Sequence, residues 1–295
     1  MRGFELKGSR VLLTGASSGI GRELANELLR RGAVVAVAAR RRALLEELGA
    51  AAVIEADLSR RGEAARVATE ARAALGGVDV LVNNAGGGVG GAIWAVGDGD
   101  AGREAFEVNY FSPLALIHEL VPAMRERGRG AVVDVTSMAQ VNTWAGFGAY
   151  AATKAALGVA TETLRLELTD SGVHVLEVIP GPVDTAVQGE TRLAPGIEKM
   201  IDRVPLGDPA ELARLTMHAL QRGRAQLIYP RRAAVAYVLP SLIRRDTRRL
   251  AAKAARDLDP AAREAFGELV VRSGSQGDEV ARQAREAWER RGARA

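Results

Sequence analysis

The side chains of this chain best suited to chemistry are Ser137, Tyr150 and Lys154. Tyr150 and Lys154 are four apart in a stretch rich in Ala, Leu and Glu, from about 149 to 169, that reads as a helix; both stand on one face, a turn apart. A free tyrosine titrates near 10 and is a poor base at neutral pH. Bringing it to about 7 requires roughly 4 kcal/mol of preference for the phenolate. One ammonium at ~4 Å in an effective dielectric of ~20 supplies about that much. Ser137 follows the apolar run 131–136, which reads as a buried strand, and its hydroxyl would hold the substrate oxygen that Tyr150 protonates or deprotonates. A Tyr-x-x-x-Lys pair alone is common in helices, so the weight falls on the elements around it.

Those elements alternate. Residues 9–14 form a short apolar strand, followed by the glycine loop Gly15-Ala-Ser17-Ser18-Gly19-Ile20-Gly21 and a helix to about Arg31. Glycines let the backbone turn sharply and approach a pyrophosphate, whose charge is met by the helix amino terminus. The spacing G-x-x-x-G-x-G is a variant of the dinucleotide-binding fingerprint. A second strand spans 33–39 and runs directly into Arg40, Arg41 and Arg42. An acid here would hold a ribose 2′-hydroxyl, whereas arginine accommodates a 2′-phosphate, so Arg40 points to NADP rather than NAD. Arg41 and Arg42 serve equally well as a basic start to the next helix.

A third strand spans 51–58 and ends at Asp57-Leu58, and a helix is expected over about 60–75. A fourth strand, 78–82, closes on Asn83-Asn84-Ala85-Gly86. The run 86–102 holds eight glycines and reads as a loop without regular elements beside the site. A long helix is expected over about 103–127 and carries Asn109. After the Tyr150 helix come a strand over 173–179, the turn Pro180-Gly181-Pro182-Val183-Asp184-Thr185, a polar lid-like stretch over 186–206, a helix over 208–221 and a short strand over 226–229. This alternation argues for an α/β fold with a doubly wound, mainly seven-stranded parallel sheet of Rossmann type, helices on both faces, and a helical C-terminal extension. The expected domains are 1–230, binding the nucleotide and carrying the catalytic set, and 231–295, the extension.

Composition closes several routes. The chain has no cysteine, which excludes a disulfide framework and a cysteine nucleophile, and its three histidines are scattered, so no metal site is expected. Aromatic residues are 4% and hydrophobic residues 47%, so the core must be Ala, Val and Leu. The amino end does not read as a signal peptide and no apolar run reaches about 18 residues, so a cytoplasmic location is expected. The net charge of +4 arises in the tail: residues 231–295 carry 15 Lys/Arg against 9 Asp/Glu. Within 235–258, apolar residues from Val235 to Leu258 alternate with Arg244, Arg245, Arg248, Arg249, Lys253 and Arg256. This segment is expected to cover the substrate mouth, in preference to lying on an anionic membrane surface. Nucleic acid is not expected as a partner, because stacking aromatics are missing.

Taken together, Thr14-Gly15-x-x-x-Gly19-Ile20-Gly21, Asn83-Asn84-Ala85-Gly86, Asn109, Ser137, Tyr150-x-x-x-Lys154 and Pro180-Gly181 resemble the short-chain dehydrogenase/reductase family in order and spacing, over about residues 8–230. The resemblance implies that Gly15, Ser17, Ser18, Gly19 and Ile20 hold the cofactor phosphates and adjoining ribose, and that Asp57 and Leu58 meet the adenine. It implies that Asn84, Ala85 and Gly86 line the cofactor in mid-sheet, and that Pro180, Gly181, Val183 and Thr185 lie at the nicotinamide. It also implies that Tyr150 is the acid/base, that Lys154 tunes it and holds the nicotinamide ribose, and that Asn109 binds a water extending the proton path. The expected protein is an NADP-preferring oxidoreductase interconverting a ketone or aldehyde and an alcohol of moderately hydrophobic character. The rival readings are a same-fold epimerase or dehydratase and a non-catalytic NADP-binding regulator. A homodimer or homotetramer is expected, formed through the helices at 103–127 and 149–170, whose outer faces would carry Leu114, Leu157 and Leu164.

Overall fold

The computed structural model describes residues 4–141, 146–184 and 206–231, together with positions 234, 237, 239, 271 and 272. Its strands, numbered in chain order, are β1 (Arg10–Thr14), β2 (Val34–Ala39), β3 (Ala52–Glu55), β4 (Val80–Asn83), β5 (Val89–Gly90), β6 (Gly130–Val135), β7 (Val173–Pro180), β8 (Gln226–Tyr229) and β9 (Val271–Arg272). Seven of them pair in parallel in the order β3-β2-β1-β4-β6-β7-β8, and β5 pairs antiparallel with β9. Parallel strands covered on both faces can be apolar throughout, and β6 is buried at every position.

The helices are α1 (Gly19–Arg30), α2 (Arg42–Glu46), α3 (Glu63–Leu75), α4 (Ile93–Val96), α5 (Asp100–Phe106), α6 (Ser112–Glu126), α7 (Gly148–Glu167) and α8 (Pro209–Gln221). One face of the sheet packs Val35, Val37, Val133 and Val135 under Leu24 and Leu28 of α1 and Leu212 and Met217 of α8. The other packs Leu12, Leu81 and Val132 under Val67 of α3 and Leu116 and Met124 of α6. The chain runs outward from β1 through β2 to β3, and from β4 through β6 to β8 on the other side. The crevice above the carboxyl ends of β1 and β4 is therefore the switch point where doubly wound sheets take their ligands. The doubly wound sheet expected from the sequence is the one observed.

Four expectations change in detail. The helix placed over 103–127 starts at Asp100 and is interrupted by a π-helical turn, Glu107–Phe111, centred on Asn109. The α3 helix starts at Glu63 because Asp57 first closes a turn on Ser59 and Gly62 turns left-handed, at φ 92°. The glycine-rich run after Gly86 is not structureless: it holds β5 and α4, since Val89 and Val96 bury themselves with Ala105 against Ala149 and Tyr150. Leu157 cannot serve an interface, being 1% exposed inside the chain's own core. The apolar groove between α6 and α7 is lined instead by Leu114, Ile117, Val159, Ala160 and Leu164, with Val159 and Leu166 openly exposed.

The extension is not helical throughout, because β9 forms in it and pairs with the loop beside the site. The lid-like stretch, Thr185 and, apart from positions 237 and 239, the basic amphipathic segment lie outside the described residues. Among the described residues, no helix is long and apolar enough to cross a membrane and no cluster of metal-ligating side chains occurs.

Candidate active site

Ser137 follows β6 in extended conformation (φ −166°) and opens a single 3-10 turn, Met138–Gln140, whose Ala139 N–H donates to Ser137 Oγ at 3.1 Å. Tyr150 and Lys154 project from the first two turns of α7 toward that turn. The Ser137 hydroxyl lies near enough to the Tyr150 phenol to draw its titration down. The Lys154 ammonium, 4% exposed, donates to Val135 O at 2.9 Å. The three side chains are thus brought together on β6, the turn after it and α7.

The electrostatics differ from the expectation of a lysine-lowered phenol. Burial pushes the Tyr150 phenol above its ordinary value, and the nearby Ser137 hydroxyl only partly opposes this. Burial likewise pulls Lys154 down to about 8, with the nearby Asp134 carboxyl, where ionised, working against it. One of the three ammonium donors goes to a neutral backbone acceptor, and Tyr150 sits among Val89, Val96, Ala105 and Ala149.

Asn109 occupies the middle of the π-turn, fully buried, and grips one glycine from both sides. Its Nδ2 donates to Gly87 O at 2.7 Å and its Oδ1 accepts from Gly87 N at 3.1 Å. The second Nδ2 proton goes to Thr153 Oγ1, at 3.1 Å. Both donors are committed within the protein, so the side chain has only an acceptor lone pair left for a water. A Cβ on Gly86 would come 3.0 Å from Asn109 Oδ1 and 3.5 Å from Lys154 Nζ. The strand–loop junction therefore passes close to both side chains, and a Cβ there would crowd Asn109 Oδ1.

The glycine loop was tested for the anion it is shaped for. Gly15 turns left-handed (φ 71°), and a Cβ on Gly21 would strike Gly15 O at 2.1 Å and Asn84 Nδ2 at 2.4 Å, so α1 starts hard against the loop. Asn84 Nδ2 donates to Thr14 O at 2.9 Å and Gly15 O at 3.3 Å, while Thr14 Oγ1 accepts from the N–H groups of Asn84 and Ala85. The N-cap Ser18 makes no capping bond and the first turn of α1 carries no acid. Its leading N–H groups, positive end of the helix dipole included, fit a pyrophosphate. Ser17, Ser18, Gly19 and Ile20 surround that end.

Arg41, left open by the sequence, is the arginine that turns to this loop. It donates to Ser18 Oγ at 2.7 Å and to Ser17 Oγ at 3.1 Å, while Arg40 is exposed and Arg42 pairs with Glu46. Asp57 spends its carboxylate on Ser59 and lies near Arg60, and Leu58 is buried. Pro180, Gly181 and Val183 are held at the edge: Gly181 N–H donates to Tyr229 O at 2.6 Å, and Val183 bridges Gly207.

Beneath the site lies a feature missed in the sequence, a polar row in register across four strands: Asn83, Asp134, Glu177 and Gln226. Asp134 is fully buried and accepts from Asn83 Nδ2 at 2.8 Å. Thr161 Oγ1 has one proton, yet Leu157 O and Asp134 Oδ2 both lie 2.8 Å from it. The hydroxyl donates to one of the two at a time, and when its proton is on Leu157 O a protonated Asp134 can donate to it in turn. Burial, aided by Glu177, raises the Asp134 carboxyl in the same sense, so we read Asp134 as the neutral acid.

These elements match known proteins. A family model described as short chain dehydrogenase matches residues 9–195. The chain belongs to that family. An uncharacterised oxidoreductase of Staphylococcus saprophyticus is 30% identical over 227 residues, 74% of this chain and 93% of the relative. A protein of Mycobacterium tuberculosis named fatty acyl-CoA reductase is 32% identical over 257 residues, 82% of this chain and 83% of that one. The crystal structure of a short-chain dehydrogenase from Streptomyces avermitilis superposes with a TM-score of 0.71 at 32% identity, covering 85% of this chain and all of the other. The family consists of oxidoreductases that bind NAD or NADP, act on small molecules and form oligomers.

One stability prediction follows from Asp134. Its folded-state pKa is raised above the unfolded value of about 3.9, so the folded form binds more protons and stability falls as pH rises from about 4. Asp134→Asn keeps the shape and the donor to Thr161 but cannot ionise. Its melting temperature should equal the parent's near pH 4 and exceed it at pH 7 by at least about 2 °C, roughly 1 kcal/mol in a chain of this size. Thermal melts at the two pH values check this, and a variant less stable at pH 7 would mean that Asp134 is held ionised.

Proposed function

We propose that the protein is an NADP-preferring carbonyl reductase acting on an apolar ketone or aldehyde, with Tyr150 as proton donor. The observation that carries this reading is the convergence of Ser137, Tyr150 and Lys154 at the end of β6, with the buried Lys154 ammonium held on Val135 O. A nicotinamide nucleotide, when bound, supplies hydride to the carbonyl carbon or takes it back. Ser137 holds the carbonyl oxygen and Tyr150 protonates it. A phenol pushed above its ordinary value is protonated at neutral pH and so is in the form that donates. Lys154, anchored on Val135 O, keeps positive charge beside the phenol and the oxygen that accepts its proton.

The apolar surroundings of Tyr150 support an apolar substrate, as does the name of the mycobacterial relative, which covers most of this chain. Gly15, Ser17, Ser18, Gly19 and Ile20 would hold the pyrophosphate, with Asn84, Ala85 and Gly86 beside it and Pro180, Gly181 and Val183 at the far edge. Arg41, rather than Arg40 alone, would meet the 2′-phosphate, because its guanidinium already lies over Ser17 and Ser18. The exposed groove between α6 and α7 would pair with its copy in a dimer.

Tyr150→Phe should retain fold and nucleotide binding and lose about 10²–10⁴-fold in kcat, measured on a panel of ketones and aldehydes with NADPH. Near-parental turnover would remove Tyr150 from its role. Arg41→Ala should weaken NADPH about tenfold or more, as loss of a charge-assisted contact does, and leave NADH within a factor of about 3. Calorimetric titration reads both, and equal losses would assign Arg41 to the shared pyrophosphate instead. Val159→Glu should convert a dimer to a monomer by light scattering at micromolar concentration; a parent already monomeric contradicts the pairing.

A further inference from the structure

The polar row contains a second device. Glu177 is 1% exposed, and among the described residues no cation pairs with it. A buried carboxyl must be met by donors. Its Oε1 accepts from Thr136 Oγ1 at 2.9 Å and from Gln140 Nε2 at 3.0 Å, and its Oε2 accepts from Gln226 Nε2 at 2.9 Å. Thr136 immediately precedes Ser137 and Gln140 follows it by three. A single carboxylate oxygen thus brackets the turn that carries Ser137.

The network continues into the C-terminal segment. The remaining proton of each amide turns to one acceptor, the Tyr237 hydroxyl, at 3.4 Å from Gln140 Nε2 and 3.5 Å from Gln226 Nε2. The hub also touches the helix of Tyr150. Gly158 lies four residues beyond Lys154 and eight beyond Tyr150, on the same stripe of α7. A Cβ there would press on Gln140 Oε1 at 2.5 Å and meet Glu177 Oε1 at 3.4 Å. The hub therefore lies between the two elements whose separation sets the contact of Ser137 with Tyr150. None of its side chains hydrogen-bonds either reacting hydroxyl.

We propose that Glu177 and Tyr237 are positioning residues: through Thr136, Gln140 and Gln226 they fix the Ser137 turn against α7, so that the Tyr237 hydroxyl takes part in setting the site. The proposal rests on the reading of Ser137 and Tyr150 above. It assigns the region beyond residue 231 a part in turnover, not only a place over the substrate.

The test uses the full chain with carbon-13-labelled tyrosine, following the Tyr150 phenol by NMR across pH and assigning it by its loss in Tyr150→Phe. The Ser137 hydroxyl draws the Tyr150 titration down, so Ser137→Ala should move it upward and define the limit. Glu177→Gln places an amide donor against Gln226 Nε2, and Tyr237→Phe removes the acceptor shared by the two amides. Each is expected to shift Tyr150 upward, toward the Ser137→Ala value, and to lower kcat about 3- to 10-fold with NADPH affinity unchanged. The double variant should be no worse than Glu177→Gln, because the residues act through one network. If Ser137→Ala shifts Tyr150 while Glu177→Gln and Tyr237→Phe leave it at the parent value, the hub does not position the turn and the proposal falls. If Ser137→Ala itself leaves Tyr150 unmoved, the Ser137–Tyr150 reading falls first and takes the hub with it. Should Glu177→Gln fail to fold, Tyr237→Phe, a change at a partly exposed side chain, decides alone.

Discussion

The bond from Lys154 Nζ to Val135 O, 2.9 Å long in a dry interior, ties the helix of the phenol to the strand of the serine. An ammonium 4% exposed has few places to go, and burial already draws its titration down to about 8. Holding it on a backbone carbonyl fixes the rotation of α7 about its axis and its height over β6. Tyr150, one turn earlier, is then set over the end of the strand, and Ser137, two residues past Val135, falls beneath it. The glycines near this bond follow from it: Gly86 and Gly158 lie where a Cβ would crowd the lysine, Asn109 or the residues below them.

Burying Lys154 has a consequence for the sheet. Most doubly wound sheets fill the space under such a helix with branched apolar residues, as this chain does at Val132 and Val175. Between them it carries Asp134 and Glu177 in register, and the cost of desolvating two acids is met by distributing donors: Asn83 and Gln226 at the ends, with Thr136 and Gln140 above. Burial, aided by Glu177, favours the neutral form of Asp134. A polar row of this kind specifies register more sharply than an apolar one. A slip of one residue would leave both carboxyl groups unpartnered against the opposite core.

The fold was legible because its signals are local. Each strand is an apolar run, each helix has a boundary residue, and the glycine loop sits between the first two. The candidate site was legible where chemistry and spacing coincide, as at Tyr150 and Lys154. What was not legible depends on pairing. Asp134 and Glu177 each read as one polar residue inside an apolar strand, and only the β6–β7 register places them side by side. Arg41 could not be separated from Arg40 because the turn at Arg41 (φ −95°) that opens α2, not the end of the strand, decides which guanidinium faces Ser17. The direction of the Tyr150 shift was not legible for a similar reason: a helical spacing gives the distance to a lysine but not the burial that raises the phenol.

The glycine-rich mouth shows how far composition can mislead. Eight glycines between 86 and 102 suggest a loop free to move. Gly87 is nevertheless gripped through both backbone groups by Asn109, Val89 is 2% exposed, and Gly91 N–H donates to Gly146 O at 2.9 Å. Glycine serves here to let the backbone approach Asn109 and Lys154 closely, and that close approach restrains the chain. The π-turn is part of the same restraint, since the extra residue it admits carries Asn109 inward between Gly87 and Thr153 while α5 and α6 continue on either side. The edge of this mouth is then paired by β9 from the C-terminal region. The floor of the site is set by the polar row and its near wall by Asn109, and among the described residues beyond 231 Tyr237 meets that floor while β9 pairs with the edge of the mouth.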